Sequence, residues 1–171
     1  MSAAVLGSVL CMDKSVALCA TTDESAAPKS IRRVSVELVV VPEPALFLRA
    51  WDEPGRKETP PIPDVRSLTR GSEFGIGVVV SDCPPGRDAK CMMVATYSIR
   101  TVDGEELVSM PDVPVWRDAP PSRDRPELGK GLWRTTSEDS DPLGPYIYRA
   151  VVRDNVSGKT VTLERRVSLV E

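Results

Sequence analysis

Between residues 144 and 171 the side chains change character one residue at a time, a pattern that admits β-strands and little else. Tyr146, Tyr148, Ala150 and Val152 interleave with Ile147, Arg149, Val151 and Arg153. The polar run Asp154-Asn155-Val156-Ser157-Gly158-Lys159 reads as a turn. Beyond it Val161, Leu163, Val167 and Leu169 share one face, and Thr160, Thr162, Glu164, Arg166 and Ser168 take the other. A period of two places one face in a core and the other in water. Two strands around a turn are therefore expected at the end of the chain.

The same period recurs upstream. Val34, Val36, Leu38 and Val40 alternate with Ser35, Glu37, Val39 and Val41 in a first strand, which Pro42 and Pro44 end. Residues 45–51 read as a second short strand, or as a continuation of the first beyond a proline kink. Residues 52–68 are polar and rich in proline, which predicts an extended surface connection. Phe74, Ile76, Val78 and Val80 form the inward face of a third strand, with Gly75 and Gly77 opposite, where a bulge or the close approach of another backbone is expected. Met93, Ala95, Tyr97 and Ile99 line a fourth strand, and Asp103-Gly104 turns the chain back through residues 105–110. Residues 111–130 read as a second long connection, and 131–136 as another short strand. No helix of ten or more residues with a 3.6-residue period is expected. The chain has 16 prolines in 171 residues, nearly twice the usual share of roughly 5%, which suits short strands joined by long loops. The expected fold is an all-β antiparallel sandwich of about seven strands with long proline-rich loops.

A length of 171 residues fits one domain, expected over 31–171 and preceded by a flexible leader and linker over 1–30. A net charge of −3 and the lack of a basic stripe argue against nucleic acid as a partner. The absence of histidine removes His-based triads, His-ligated metals and imidazole acid–base chemistry, and leaves only carboxylate, lysine or cysteine enzymes open. Neither a Gly-x-Ser-x-Gly elbow nor a Ser-x-x-Lys motif occurs. Glu105 and Glu106 would point to opposite faces of a strand and cannot act together. The expectation is a non-enzymatic protein without a cofactor or metal.

The leader is ambiguous. Residues 3–12 are apolar, Asp13-Lys14 interrupts, and 15–20 are apolar again, which departs from the basic start and unbroken core of a secretory signal. Val16-Ala17-Leu18-Cys19 invites comparison with a lipoprotein signal, but Leu18 stands where a small residue is expected. A lipidated Cys19 and a degenerate leader or tail both stay open. No apolar run reaches the ~18–20 residues of a membrane span.

The segment Asp141-Pro142-Leu143-Gly144-Pro145-Tyr146, followed by Val152, Asp154, Ser157-Gly158 and a last alternating strand, resembles the end of bacterial immunoglobulin-like modules. The stretch from Ile99 to Asp103-Gly104 is similar to the middle of macroglobulin-type sandwich domains. The resemblance covers 71–171. It implies an immunoglobulin-like sandwich that works outside the cytoplasm as a structural or binding module, and it implies no catalytic residue.

Cys83 and Cys91 flank a seven-residue loop between the third and fourth strands. If those strands pair antiparallel, the cysteines face each other across its base at a distance that suits a disulfide. Free thiols are the alternative, and two thiols without histidine make a poor zinc site. A disulfide would argue for an oxidising compartment. Glu138, Asp139 and Asp141 form a small acidic cluster, read as a solvated turn or a calcium site. Trp51, Trp116 and Trp133 are either core pins or a stacking platform for a carbohydrate. The resulting expectation is an extracytoplasmic module of a bacterial envelope or secreted protein that contacts another envelope protein, with a glycan as the alternative ligand. The loops 52–68 and 111–130 are the expected contact surfaces.

Overall fold

The computed structural model describes residues 29–31, 34–122 and 124–171. Its elements, in chain order, are β1 (Lys29–Ile31), β2 (Val34–Val41), α1 (Pro44–Trp51), β3 (Ser67–Thr69), β4 (Glu73–Asp82), β5 (Met93–Thr101), β6 (Glu106–Trp116), β7 (Glu127–Leu128), β8 (Trp133–Thr136), β9 (Gly144–Asp154) and β10 (Thr160–Val170). Two sheets result. One runs β1-β2-β4, with β7 and β8 following each other along the far edge of β4; the other runs β3-β10-β9-β5-β6. The all-β sandwich expected from the alternation is what forms. Among the described residues its strands number ten rather than about seven, because three-residue β1 and β3 add to the sheet edges and one edge strand is broken into β7 and β8. All pairs are antiparallel except β3, which lies parallel to β10.

The inward residues read from the sequence meet in one core. Val36, Leu38 and Val40 of β2 and Ile76, Val78 and Val80 of β4 bury against Ala95 and Tyr97 of β5, Ala150 and Val152 of β9, and Leu163 and Val167 of β10. The β9–β10 turn is held by Asp154, whose buried carboxylate accepts the Val156 and Ser157 N–H groups and the Ser157 hydroxyl. One inward position breaks the apolar series. Arg165 lies on the core-facing side of β10 by parity, and its guanidinium escapes to donate to Asp64 at 2.7 Å.

Four features differ from the sequence expectation. Residues 44–51 are a helix, not a strand: Pro44 is tolerated in its first turn, Ala and Leu favour it, and Phe47 and Trp51, four apart, stack with their ring centroids 5.8 Å apart on one face. The third and fourth strands, now β4 and β5, lie in different sheets, so the loop between them is a crossover rather than a hairpin. Cys83 and Cys91 nevertheless meet, with S–S 2.03 Å, and tie the two ends of that crossover. The connection expected over 111–130 begins only after Trp116, because β6 carries on through Pro111 and Pro114 as an edge strand, a sheet position that tolerates proline. Finally, the connection 52–66 does not simply skirt the surface. Ile62 joins Phe47, Trp51, Leu128 and Leu132 over Val39, Val41 and Val79, forming a second small core on the outer face of the first sheet.

Arg56 fastens this cover. Its side chain is 6% exposed, its guanidinium lies 4.9 Å over the Trp51 ring, and it donates to Glu127 of β7 at 2.8 Å. Gly75 and Gly77 make room for Leu132: a Cβ at Gly77 would stand 2.7 Å from Leu132 Cδ1. The close approach expected there is made by a side chain.

The break between β7 and β8 has its own purpose. The Gly129 N–H donates to the Val78 carbonyl in the first sheet, and the next N–H, of Lys130, donates to the Val115 carbonyl in the second, both at 2.8 Å. This Gly-Lys-Gly strap bridges the two sheets along one side. Gly131 has φ +90°, and a Cβ there would stand 2.5 Å from Val113 Cγ1, so the strap excludes any larger residue. Gly131→Ala is expected to lower stability by about 2–3 kcal/mol, backbone strain plus overpacking. Gly104→Ala, at φ +92° but in open space, should cost only about 1–2 kcal/mol. Urea unfolding of both variants checks the difference.

Candidate functional site

Beyond the strap the two sheets part. Between β6 and β8 a cleft of about 350 Å³ opens onto the core, floored by Phe74, Ile99, Tyr146, Tyr148 and Leu169. Its walls are Leu107 and Val108 from β6, and Thr135, Thr136 and Ser137 from β8 and the residue after it. Glu138 and Asp141 are the charged residues lining it. The cleft lies at the far end of the sandwich from Cys83 and Cys91, because it takes the beginning of β4 and the end of β5.

Each wall has a local cause. β8 is four residues long and ends at Thr136, where Ser137 turns inward to accept the Gly71 N–H at 3.0 Å. The chain then loops through 138–143, pinned by Asp141 Oδ2 accepting the Glu138 N–H at 2.8 Å. At the entry to β9 the Tyr146 hydroxyl donates to the Pro142 carbonyl four residues upstream, at 2.6 Å. Phe74 meets Tyr148 edge to face, with centroids 5.7 Å apart. On the other side, β6 is the last strand of its sheet, and Leu107, Val108 and Met110 are 50%, 41% and 40% exposed. The arginines beside the cleft are already matched: Arg100 to Glu106 at 2.6 Å and Arg134 to Glu73 at 2.7 Å. What remains at the mouth is negative.

The residues singled out by sequence fall in several places. Glu138 and Asp141 come together at the cleft, while Asp139 is exposed. Among the described residues no three His, Cys, Asp or Glu side chains are gathered as a metal site. The three tryptophans do not share a face. Trp51 is buried on the outer face of the first sheet, whereas Trp116 and Trp133 are half-buried against the main core, Trp116 donating its indole N–H to the Ala119 carbonyl. Cys19 lies outside the described residues. Leu107, Val108 and Met110 were not among the sequence candidates. Their signal was available: in 105–110 apolar residues stand on both faces of a strand that prolines follow at once, which suits an exposed edge more than a buried ladder.

No protein-family model matches the chain, and no curated protein matches it in sequence. The site must be read from its own geometry.

Burial raises the Tyr148 phenol well above its usual range, with Tyr146 and Asp141 adding to the effect, and burial alone does the same for Tyr97. Both groups stay neutral in the folded state where an unfolded chain would ionise. The stability they contribute is fully present below the unfolded value of ~10 and is lost as pH rises above it. Unfolding free energy should therefore fall steadily from about pH 10 upward. Absorbance of tyrosinate, followed alongside circular dichroism, should show Tyr97 and Tyr148 ionising only together with unfolding.

Proposed function

We propose that this chain is a non-enzymatic, immunoglobulin-like module that works outside the cytoplasm by binding another protein along its β6–β8 side. The sandwich joins β2, β4 and the β7–β8 line to β10, β9, β5 and β6 through crossovers that include β4–β5, β6–β7 and β8–β9, as such domains do. The bond from Tyr146 to Pro142, at the corner where the chain enters β9 from the other sheet, has the form of their tyrosine corner. Cys83 and Cys91 at disulfide distance favour an oxidising compartment, and hence the periplasm, the cell surface or the medium. No helix among the described residues is long and apolar enough to cross a membrane.

The observation that carries the binding role is the row Leu107, Val108 and Met110, exposed on an edge strand beside an apolar-floored cleft. An exposed, unpaired and apolar edge is a hazard that proteins normally blunt, so one left open beside a cleft favours use as a contact. The proline-rich connection 52–66 is a weaker candidate than its composition suggested, because Arg56 and Ile62 are committed to covering the first sheet.

A photo-crosslinking residue placed at position 107 in the producing cell is expected to yield one discrete protein adduct, while the same residue at 164, on the solvent face of β10, yields none. Equal labelling at both positions, or none at either, overturns the reading. Binding on a glycan array that is lost in the folded Trp133→Ala variant would replace it with carbohydrate recognition. Compartment is checked separately: alkylation before lysis, followed by peptide mass mapping, should leave Cys83 and Cys91 unmodified unless reductant is added first.

A further inference from the structure

We propose that the occupant of the cleft is an extended segment of another protein, apolar with a lysine or arginine, which adds as a strand to the outer edge of β6 over Glu106–Met110. The inference rests on the protein-binding reading above and names what binds. β6 is divided by its own chemistry. Over its second half Pro111 and Pro114 lack N–H donors and Asp112 sits at φ +51°, so no regular ladder can form there. Over residues 106–110 neither obstacle exists: β6 carries a bulge at Leu107, pairs in register with β5 from Val108 to Met110, and has no strand on its outer edge among the described residues. Strand addition uses main-chain hydrogen bonds for affinity and pockets for alternate side chains for specificity.

The pocket is in place. A strand laid beside 106–110 runs along the cleft, where alternate side chains can cover Leu107 and Val108 and reach the phenyl and phenol rings of the floor. The lining charges there, Glu138 and Asp141, are both carboxylates, whereas Arg100 and Arg134 nearby are held by Glu106 and Glu73. A cationic side chain between those carboxylates and the tyrosine rings is favoured by charge and by the ring faces. A second copy fits worse. Antiparallel pairing of two β6 strands about Ser109 would bring Glu106 opposite Asp112 and Pro111 into the ladder.

The test uses the whole chain and a seven-residue synthetic peptide of alternating valine and lysine. Controls are the valine–glutamate counterpart and the two forms of the valine–lysine peptide N-methylated at alternate residues. The valine–lysine peptide is expected to bind at least about ten-fold more tightly than the valine–glutamate one, the factor of roughly one good polar contact. One N-methylated form should lose binding and the other retain it, since a strand edge uses alternate N–H groups. Amide exchange should slow at 106–110 and nowhere else on the sheet edges. Glu138→Gln, outside the core, should narrow the charge preference while leaving the melting temperature unchanged, and Leu107→Lys should abolish binding. Equal affinity for both charges, indifference to both N-methylations, or concentration-dependent self-association through β6 overturns the proposal. If the peptides fail while the adduct at position 107 persists, the surface binds protein in another form and only the strand-addition step falls.

Discussion

β4 is buried on both faces, and the rest of the structure is arranged around that demand. From Phe74 to Val80 every residue is shielded from solvent. Phe74, Ile76, Val78 and Val80 face the sandwich interior, where the second sheet covers them. Val79, with Val39 and Val41 of neighbouring β2, faces outward, where an ordinary sandwich would meet water. Leaving three valines exposed would forfeit roughly 1.5–3 kcal/mol for each. The helix α1, the connection 52–66 and Leu132 are what prevent it. Arg56 holds that cover down at the cost of burying a charge, which its bond to Glu127 and its place over Trp51 offset.

The same strand explains the cleft. Its far edge must be paired along its length, but the chain returning from β6 pairs with it in two short pieces, at Val79–Val80 and again at Glu73–Ile76. Between them the strap turns one N–H to each sheet, and this works only with glycine at both flanks. Where the strap holds, β4 and β6 are locked together. Past it β8 pairs with β4 and not, among the described residues, with β6, and the cleft opens between the two before the 138–143 loop crosses to β9. Closure at one point and opening beyond it are therefore one construction. The opening has a rigid floor, because Tyr146 is pinned to Pro142 and Phe74 is braced by Tyr148.

Much of this was legible in the sequence, and the rest failed for identifiable reasons. Alternation placed β2, β4, β5, β9 and β10 and their inward residues, since each has one face in a single core. The pair Asp103-Gly104 and the run 154–159 mark the β5–β6 and β9–β10 hairpins because turn chemistry is local. The helix 44–51 was misread because eight residues hold barely two turns, too few for a 3.6-residue period to stand out from an apolar run. The Val39-Val40-Val41 and Val78-Val79-Val80 runs carried the missing clue. Unbroken apolar strands are buried on both faces, so these runs imply a cover for the outer face. The Cys83–Cys91 pair was read from the wrong premise, a hairpin. The two ends of a crossover between sheets come together as well as those of a hairpin, so spacing alone could not tell them apart. Nothing in 131–136 could announce the cleft, because a gap depends on two edges that the chain brings together from far apart.

The outer face of the first sheet, which a two-sheet sandwich would leave to solvent, is spent here on α1 and the connection 52–66. The outer face of the second carries paired or exposed charges such as Arg149 and Glu164, 3.3 Å apart, which surface screening makes nearly neutral in energy. Of the edges, one is shielded by β1 and β3 and by Arg165 reaching Asp64. Among the described residues, the β6–β8 side retains free backbone and apolar side chains together. Two prolines and a left-handed aspartate blunt one half of β6, whereas in the half beside the cleft the ladder is interrupted by a bulge at Leu107 and stays regular from Val108 to Met110. Protection against aggregation should extend along the whole edge. The gap in that protection between Val108 and Met110 fits an edge that a strand from elsewhere finishes.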